Sequence, residues 1–135
     1  MSEIIDGKNA VLGRLSTAVA KQLIRGESIT VVNAGKIIIT GSPKKITRDY
    51  LKKRRMGSPQ HGPFYPKKPD LIVRRTIRGM LPKTKKGRNS LKRLKVHISI
   101  PKELENKESK KMEMRDVKIN FIDLEELSKA LGWKE

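Results

Sequence analysis

Positions 44 to 95 of the chain carry nineteen lysine or arginine residues and only two acidic residues, Asp49 and Asp70. Residues 1–43 hold five bases and three acids, and residues 96–135 hold eight bases and nine acids, so nearly all of the net charge of +18 lies in the middle. A run of charge is commonly a solvated face, but interleaved acids are almost absent here. Because charge of one sign repels itself unless an anion neutralises it, the composition favours a polyanionic partner, and nucleic acid is the usual one in a cell.

Arginine and aromatic side chains in this basic region, residues 44–95, are the groups best suited to nucleic acid. Arg74, Arg75 and Arg78 share one side of a predicted helix, and a guanidinium group can bind phosphate with two hydrogen bonds and stack on a base. Phe64 and Tyr65 could stack on unpaired bases, although a role as core anchors is at least as good an explanation. The candidate binding residues are Lys44, Lys45, Arg48, Lys52, Lys53, Arg54, Arg55, Phe64, Tyr65, Lys67, Lys68, Arg74, Arg75, Arg78, Gly79, Lys83, Lys85, Lys86, Arg88 and Arg93.

Catalytic and metal-binding groups are sparse in the sequence. The chain has no cysteine, and its two histidines, His61 and His97, are far apart and lack a neighbouring pair of carboxylates. A metal site or a nucleophile with its base therefore has no adequate set of partners. We expect no catalytic residue, no metal and no cofactor, and we predict that the protein is not an enzyme.

The segment Gly7–Ser16 suggests one alternative, because glycines between a strand and a helix can direct backbone N–H groups at an anion. Its spacing differs from that of a P-loop, and it lacks the Gly-Lys-Ser/Thr sequence. Gly13 lies within an apolar helical pattern, which predicts close helix packing there. A nucleotide-dependent enzyme that uses this loop remains an alternative hypothesis. A general DNA-binding protein is another, since charge alone does not distinguish DNA from RNA.

A strand–helix–strand unit is predicted for the first third of the chain. Ile4 and Ile5 indicate a short strand, Asn9 is placed to cap the following helix, and Gly26 is placed to end it. Apolar residues recur within this helix at steps of three and four. Residues 28–33 are mostly β-branched and predict a second strand, parallel to the first.

The next strand is predicted at residues 36–40. The link that precedes it is too short for a parallel crossover, so direct pairing with its predecessor would be antiparallel and the sheet would be mixed. Apolar spacing, prolines and glycines predict the remaining elements, which are a helix over 43–56, an irregular loop over 57–66, a helix over 70–81, a basic loop over 82–89, a short helix and a strand around 91–100, a solvated connector over 102–118 and a helix over 123–131.

The length of 135 residues suits one domain, which buries roughly two thirds of its unfolded surface. We expect the core to come from about residues 1–43 and 91–131, with 44–95 as the binding region. The N-terminal residues do not form a signal sequence, and no window approaches ~18 consecutive apolar residues. We therefore expect neither export nor a membrane span, and a cytoplasmic location.

Four short motifs, in this order along the chain, resemble a known family: Leu12-Gly13-Arg14-Leu15-Ser16, Val32-Asn33-Ala34, Thr40-Gly41, and Arg78-Gly79-Met80-Leu81-Pro82 with Gly87-Arg88. The chain closely resembles the L-thirteen ribosomal protein family of the large subunit from about Ile4 to Leu104. The Gly62-Pro63-Phe64 sequence and the prolines after it resemble the archaeal and eukaryotic branch. Because the long C-terminal extension of eukaryotic members is missing, an archaeal protein is expected.

The resemblance implies an α/β fold with three layers, α/β/α, around a small, mostly parallel four-stranded sheet. It also implies a structural constituent of the large ribosomal subunit that binds ribosomal RNA and supports subunit assembly. The expected partners are large-subunit ribosomal RNA and neighbouring large-subunit proteins, with no membrane and no small-molecule substrate. We expect Arg74, Arg75 and Arg78 to clamp the RNA and Gly79 to permit close approach of the backbone.

Overall fold

A computed structural model describes residues 2–55, 66–105, 107–111 and 120–134. The predicted loop over 57–66 lies outside these ranges except for Pro66. In chain order the elements are β1 (Ser2–Asp6), α1 (Leu12–Ile24), β2 (Ser28–Val32), a 3-10 helix (Ala34–Lys36), β3 (Ile38–Thr40), α2 (Pro43–Arg55), α3 (Pro69–Met80), α4 (Lys85–Lys92), β4 (Leu94–Val96), a second 3-10 helix (Lys102–Leu104), β5 (Lys110–Lys111), β6 (Phe121–Asp123) and α5 (Leu124–Ala130).

The N-terminal unit β1–α1–β2 forms as predicted, with the two strands parallel. Helix α1 buries Leu15, Val19 and Leu23 because steps of three and four residues place them on one face. The prediction that Asn9 caps this helix is wrong. Val11 is the N-cap, while Asn9 has a φ of 57° and turns the chain so that its backbone N–H donates to the Lys36 carbonyl at 3.0 Å.

The main sheet has four strands in the order β4-β2-β1-β5, and all three neighbouring pairs are parallel. This confirms the α/β class and the mostly parallel sheet. Ile5 and Ile29 lie in the hydrophobic core with the buried face of α1. The other face carries Ile4 and Thr30, which line an open pocket together with Leu104 of the second 3-10 helix.

Strand β3 does not join the main sheet, so the predicted mixed sheet is wrong. It pairs antiparallel with β6 in a separate two-stranded ribbon. The reason is local: Asn33 adopts a left-handed conformation with φ 56°, and a 3-10 helix then turns the chain away from β2. The backbone N–H of Ile38 donates instead to the Ala10 carbonyl at 2.9 Å.

Helix α3 lies within one residue of the helix predicted over 70–81 at both ends, and α2 begins at residue 43, as predicted. The basic loop predicted over 82–89 is wrong, because residues 85–92 form α4. This helix has little apolar periodicity. It packs instead through the buried small residues Gly87 and Ser90, and the following strand starts at Leu94, earlier than predicted.

The core extends into the basic region through α3. Ile72, Val73 and Ile77 are buried and belong to the same cluster as Leu15 of α1 and Leu127 of α5. The opposite side of α3 carries its arginines. One helix therefore joins the core to the cationic surface.

The C-terminal helix α5 is one residue shorter at each end than predicted. Asp123 caps it, because its carboxylate accepts a hydrogen bond of 2.8 Å from the backbone N–H of Glu126. Leu124 and Leu127 are buried on the side of α5 that faces the core. The predicted connector over 102–118 contains the second 3-10 helix and β5 in its described part.

Candidate nucleic-acid interface

The basic side chains of residues 44–95 lie on α2, α3, α4 and the segments that lead into them. Most are exposed and make no hydrogen bond or ion pair within the part of the chain that the structure describes. This group consists of Lys44, Lys45, Arg48, Lys52, Lys67, Lys68, Arg78, Lys83, Lys85, Lys86, Arg88, Lys92 and Lys95. Lys92 and Lys95 were not among the predicted binding residues, although their exposure gives them the same character.

Two predicted binding arginines have their guanidinium groups engaged inside the protein. Arg74 is half-buried and donates to the carbonyl of Leu94 at 3.0 Å and to that of Leu91 at 3.5 Å. These bonds join α3 to the end of α4 and the start of β4. Arg74 therefore differs from the exposed Arg78 of the same helix, because its donors are already used for backbone acceptors.

Arg93 has a similar position at the other side of α4. Its guanidinium group donates to the carbonyls of Leu23 and Glu27, just where α1 ends, and to the Ser90 hydroxyl at 3.2 Å. A cation at the C-terminal end of a helix also interacts favourably with the helix dipole. The sequence offers no signal that separates Arg93 from the exposed cations, since two of its three partners are backbone carbonyls distant in sequence.

A cleft of about 500 Å³ separates the C-terminal end of α3 from α4. Its lining combines cationic and apolar residues and includes no acid: Arg75, Arg78, Gly79, Leu81, Pro82, Lys83, Gly87, Arg88 and Leu91. The cations and Gly79 were among the predicted binding residues, but the apolar lining residues Leu81, Pro82 and Leu91, called the floor below, were not. The floor residues come together only when α4 folds back on the turn after α3.

The walls of this α3–α4 cleft are fixed by a close backbone contact. A Cβ atom added to Gly87 would stand 1.8 Å from the Pro82 carbonyl oxygen, so only glycine allows α4 to pack at this distance. Gly79 differs, because a Cβ atom added there would meet nothing within 4 Å. The chain leaves space open at Gly79, at the edge of the cleft.

A smaller depression of about 200 Å³ lies between α2 and α3. Its lining includes Tyr50, Lys53, Arg75 and Gly79, so it adjoins the α3–α4 cleft. The Lys53 ammonium group lies 5.4 Å from the centre of the Tyr50 ring, within the range of a cation–π contact. An aromatic ring other than Phe64 and Tyr65 thus lies in the cationic surface.

Four predicted binding residues cannot be placed. Phe64 and Tyr65 lie outside the described residues, and so do the side chains of Arg54 and Arg55 at the end of α2. Their roles stay sequence-based predictions.

The segment Gly7–Ser16 does not form a phosphate-binding loop. Gly7 is buried, and a Cβ atom there would stand 2.6 Å from Cγ1 of Ile37, so the loop packs against the chain itself. The start of α1 is covered by the bridge between Val11 and Ile38. The prediction of close helix packing at Gly13 is wrong, because this glycine is exposed and an added Cβ would meet nothing within 4 Å.

In residues 2–55, 66–105, 107–111 and 120–134, no three His, Asp or Glu side chains come together to hold a metal ion. No helix in the same ranges has the length and apolar character needed to cross a membrane.

The parallel α/β core and its acid-poor cationic helices define a small basic protein of the type that binds polyanions. The chain belongs to the ribosomal protein L13 family, whose model matches residues 2–103. This confirms the family expected from the four sequence motifs. The family is one of ribosomal structural proteins and not of enzymes, so the nucleotide-dependent enzyme and the general DNA-binding protein are not supported.

Several archaeal proteins named large ribosomal subunit protein uL13 are similar to this chain over almost its full length. The protein of Methanopyrus kandleri is 46% identical over 138 residues, which covers 97% of this chain and 87% of the relative. That of Picrophilus torridus is 47% identical over 131 residues, covering 95% of each. That of Methanocaldococcus jannaschii is 44% identical over 136 residues, covering 97% of this chain and 98% of the relative. These archaeal relatives fall within the archaeal and eukaryotic branch expected from the proline-rich segment.

Proposed function

We propose that this protein is a structural constituent of the large ribosomal subunit, where it binds ribosomal RNA through α2, α3 and α4 and supports subunit assembly. One observation carries the proposal: thirteen exposed cations, the group from Lys44 to Lys95 defined above, make no hydrogen bond or ion pair in the described chain, in a protein whose full-length relatives are named for the large subunit. A surface of this type gains affinity by releasing counterions from phosphates.

Folded RNA fits this surface better than regular duplex DNA does. The cations are distributed over three helices and the clefts between them, so they match phosphates at irregular positions rather than one groove. The major groove of A-form RNA is too deep and narrow for side chains to enter, so recognition depends on backbone shape, 2′-hydroxyl groups and unpaired bases. The protein would read the shape of the RNA.

Within this proposal the predicted residues divide into two groups. Arg74 and Arg93 act as internal supports, because their donors are occupied by backbone carbonyls and a hydroxyl. Gly79 lets RNA approach the backbone of α3 closely. The proposed contact residues are Lys44, Lys45, Arg48, Lys52, Lys53, Lys67, Lys68, Arg75, Arg78, Lys83, Lys85, Lys86 and Arg88, with Arg54, Arg55, Phe64 and Tyr65 as further predictions.

Neighbouring large-subunit proteins are the second proposed class of partner, and the cytoplasmic ribosome is the proposed location. The C-terminal part of the chain, residues 96–135, has nearly balanced charge and is suited to such protein contacts. In α5, for example, Lys129 already pairs with Glu125 at 3.4 Å.

The test is the salt dependence of binding to large-subunit ribosomal RNA. Neutralising Arg78, Lys83 and Arg88 together to Gln should lower the slope of log K against log salt by about 2 to 3, since each phosphate contact contributes about 0.7 to 0.9. The matched control neutralises three exposed lysines of the balanced C-terminal part, Lys102, Lys107 and Lys110. Equal slopes for the two triple variants would contradict the proposed interface.

A second measurement tests the assignment to the subunit. The protein should sediment with large ribosomal subunits and stay bound at moderate salt. The triple variant of α3 and α4 should move to the top of the gradient at a lower salt concentration than the control variant does.

A further inference from the structure

We propose that the α3–α4 cleft holds a single unpaired nucleotide that is turned out of the RNA helix. This inference rests on the proposed function, because it assumes RNA on this side of the protein. It adds a defined subsite to a surface that otherwise contacts phosphates. Four features of the cleft favour such a ligand: its floor, its rim, its rigidity and its open edge.

The floor of the cleft is apolar, which a phosphate-binding surface does not require. Leu81 and Pro82 form the turn after α3, and Leu91 contributes from α4. Duplex RNA presents charged and hydroxylated groups on its outside, and these would leave an apolar floor in contact with water. The flat face of an unstacked base is apolar and would cover this floor, which gains free energy from burial.

The rim of the cleft supplies the groups that a nucleotide needs besides its base. The term rim stands here for the cationic lining residues Arg75, Arg78, Lys83 and Arg88, and no acid lies among the lining residues. A guanidinium plane can stack on a base and can also bind the flanking phosphates with paired hydrogen bonds. The volume of about 500 Å³ falls within the range of about 300–1,000 Å³ typical of small-ligand sites.

The walls of the cleft are formed before any ligand binds. Arg74 joins α3 to the Leu91 and Leu94 carbonyls, and the Gly87–Pro82 contact sets the distance of α4 from the turn. A preformed site binds more tightly than one that must become ordered, because less conformational entropy is lost. An unpaired nucleotide would therefore meet a rigid receptor.

Gly79 keeps the edge of the cleft open. It lies inside α3, where glycine costs roughly 0.5–1 kcal/mol relative to alanine. The protein does not need the missing side chain for its own packing, since an added Cβ would touch nothing within 4 Å. A larger residue at this position would occupy space in the cleft without disturbing the core, so Gly79→Leu is a selective block.

The experiment compares three RNA hairpins that differ at one position: a single bulged nucleotide, the same bulge with an abasic residue, and a fully paired stem. Binding is measured at one fixed salt concentration with the full-length protein. We expect the bulged hairpin to bind at least tenfold more tightly than the other two. Gly79→Leu should remove this difference, so that the variant binds all three hairpins with the same affinity.

Gly13→Leu is the matched control, because Gly13 is the other helical glycine at which an added Cβ meets nothing within 4 Å. It should keep the preference for the bulged hairpin. Circular dichroism checks that both variants are folded, and Gly79→Ala with Leu91→Asn provides a second block if Gly79→Leu does not fold.

The outcomes separate this inference from the proposed function. Equal, salt-dependent affinity for all three hairpins would overturn the nucleotide subsite and leave RNA binding in place, whereas no salt-dependent binding to these hairpins or to ribosomal RNA would overturn the proposed function. An abasic bulge that binds as well as the normal one would also overturn the subsite. Displacement of the bulged hairpin, but not of the paired stem, by poly-glutamate at equal charge concentration would instead assign the cleft to an acidic protein segment.

Discussion

Replacing Arg93 by glutamine should reduce the stability of the protein far more than its affinity for RNA. The Arg93 guanidinium group donates to the Leu23 carbonyl, more weakly to the Glu27 carbonyl at 3.4 Å, and to the Ser90 hydroxyl at 3.2 Å. Hydrogen bonds to charged groups contribute about 1.5–3 kcal/mol each. Because Arg93 is half-buried and one bond is long, we expect a total loss of about 2–3 kcal/mol.

The assay is thermal unfolding followed by circular dichroism. For a domain of this length a loss of 1 kcal/mol lowers the unfolding midpoint by about 4 °C, so Arg93→Gln should unfold about 8–12 °C below the parent protein. Arg88→Gln is the control, since the exposed Arg88 side chain makes no hydrogen bond or ion pair in the described chain. Its midpoint should change by no more than about 2 °C.

RNA titrations complete the comparison. Arg88→Gln should lower the slope of log K against log salt by about 0.7 to 0.9, and Arg93→Gln should leave it unchanged. The reasoning is refuted if Arg93→Gln keeps the parent midpoint and lowers the slope as Arg88→Gln does. Arg93 would then contact phosphate, and its hydrogen bonds to the end of α1 would not contribute to the stability of the protein.

Three further substitutions test features of the fold by the same thermal assay. Gly87→Ala should cost about 1–3 kcal/mol, because its Cβ would collide with the backbone of Pro82 and force α4 outward. Asn33→Ala should lower the free energy of unfolding by about 2 kcal/mol, because alanine is strained at the left-handed φ of 56° and the 2.9 Å hydrogen bond to Asp6 is lost. Asn33→Gly should recover the part of this loss that comes from the backbone conformation. Asp123→Ala should lower the free energy of unfolding by about 1 kcal/mol, because it removes the cap of α5. For each of the three substitutions, an unfolding midpoint equal to that of the parent protein would contradict the corresponding contact.

Elements with regular apolar spacing could be predicted from the sequence. Helix α1 and strand β2 follow from periodicity and β-branching, and α2 and α3 follow from amphipathic spacing with proline near their starts. Helix α4 could not be predicted, because the residues that bury it are Gly87 and Ser90. Small residues give no hydrophobic signal, and their burial depends on the partner backbone.

Topology and side-chain roles escaped prediction for a related reason. The left-handed turn at Asn33 sends β3 to the distant strand β6, a pairing that no local pattern reveals. Composition identified the cationic surface, but Arg74 and Arg93 have the same side chain as Arg88 and differ only in their distance from backbone carbonyls. A count of charges therefore locates the cationic surface, but it does not show which arginines are free to contact RNA and which are bonded inside the protein.

Helix α3 has a consequence for how folding and partner binding are related. Its buried face, with Ile72 and Ile77, is part of the core, while Arg75 and Arg78 on the other side border the cleft. In the free protein the repulsion among cations acts on the same helix that the core must hold in place. A polyanion that neutralises these cations removes that repulsion, and any ligand that binds only the folded form shifts the equilibrium toward it. Binding of such a polyanion therefore increases the free energy of unfolding, and the folded protein is more stable in the complex than alone.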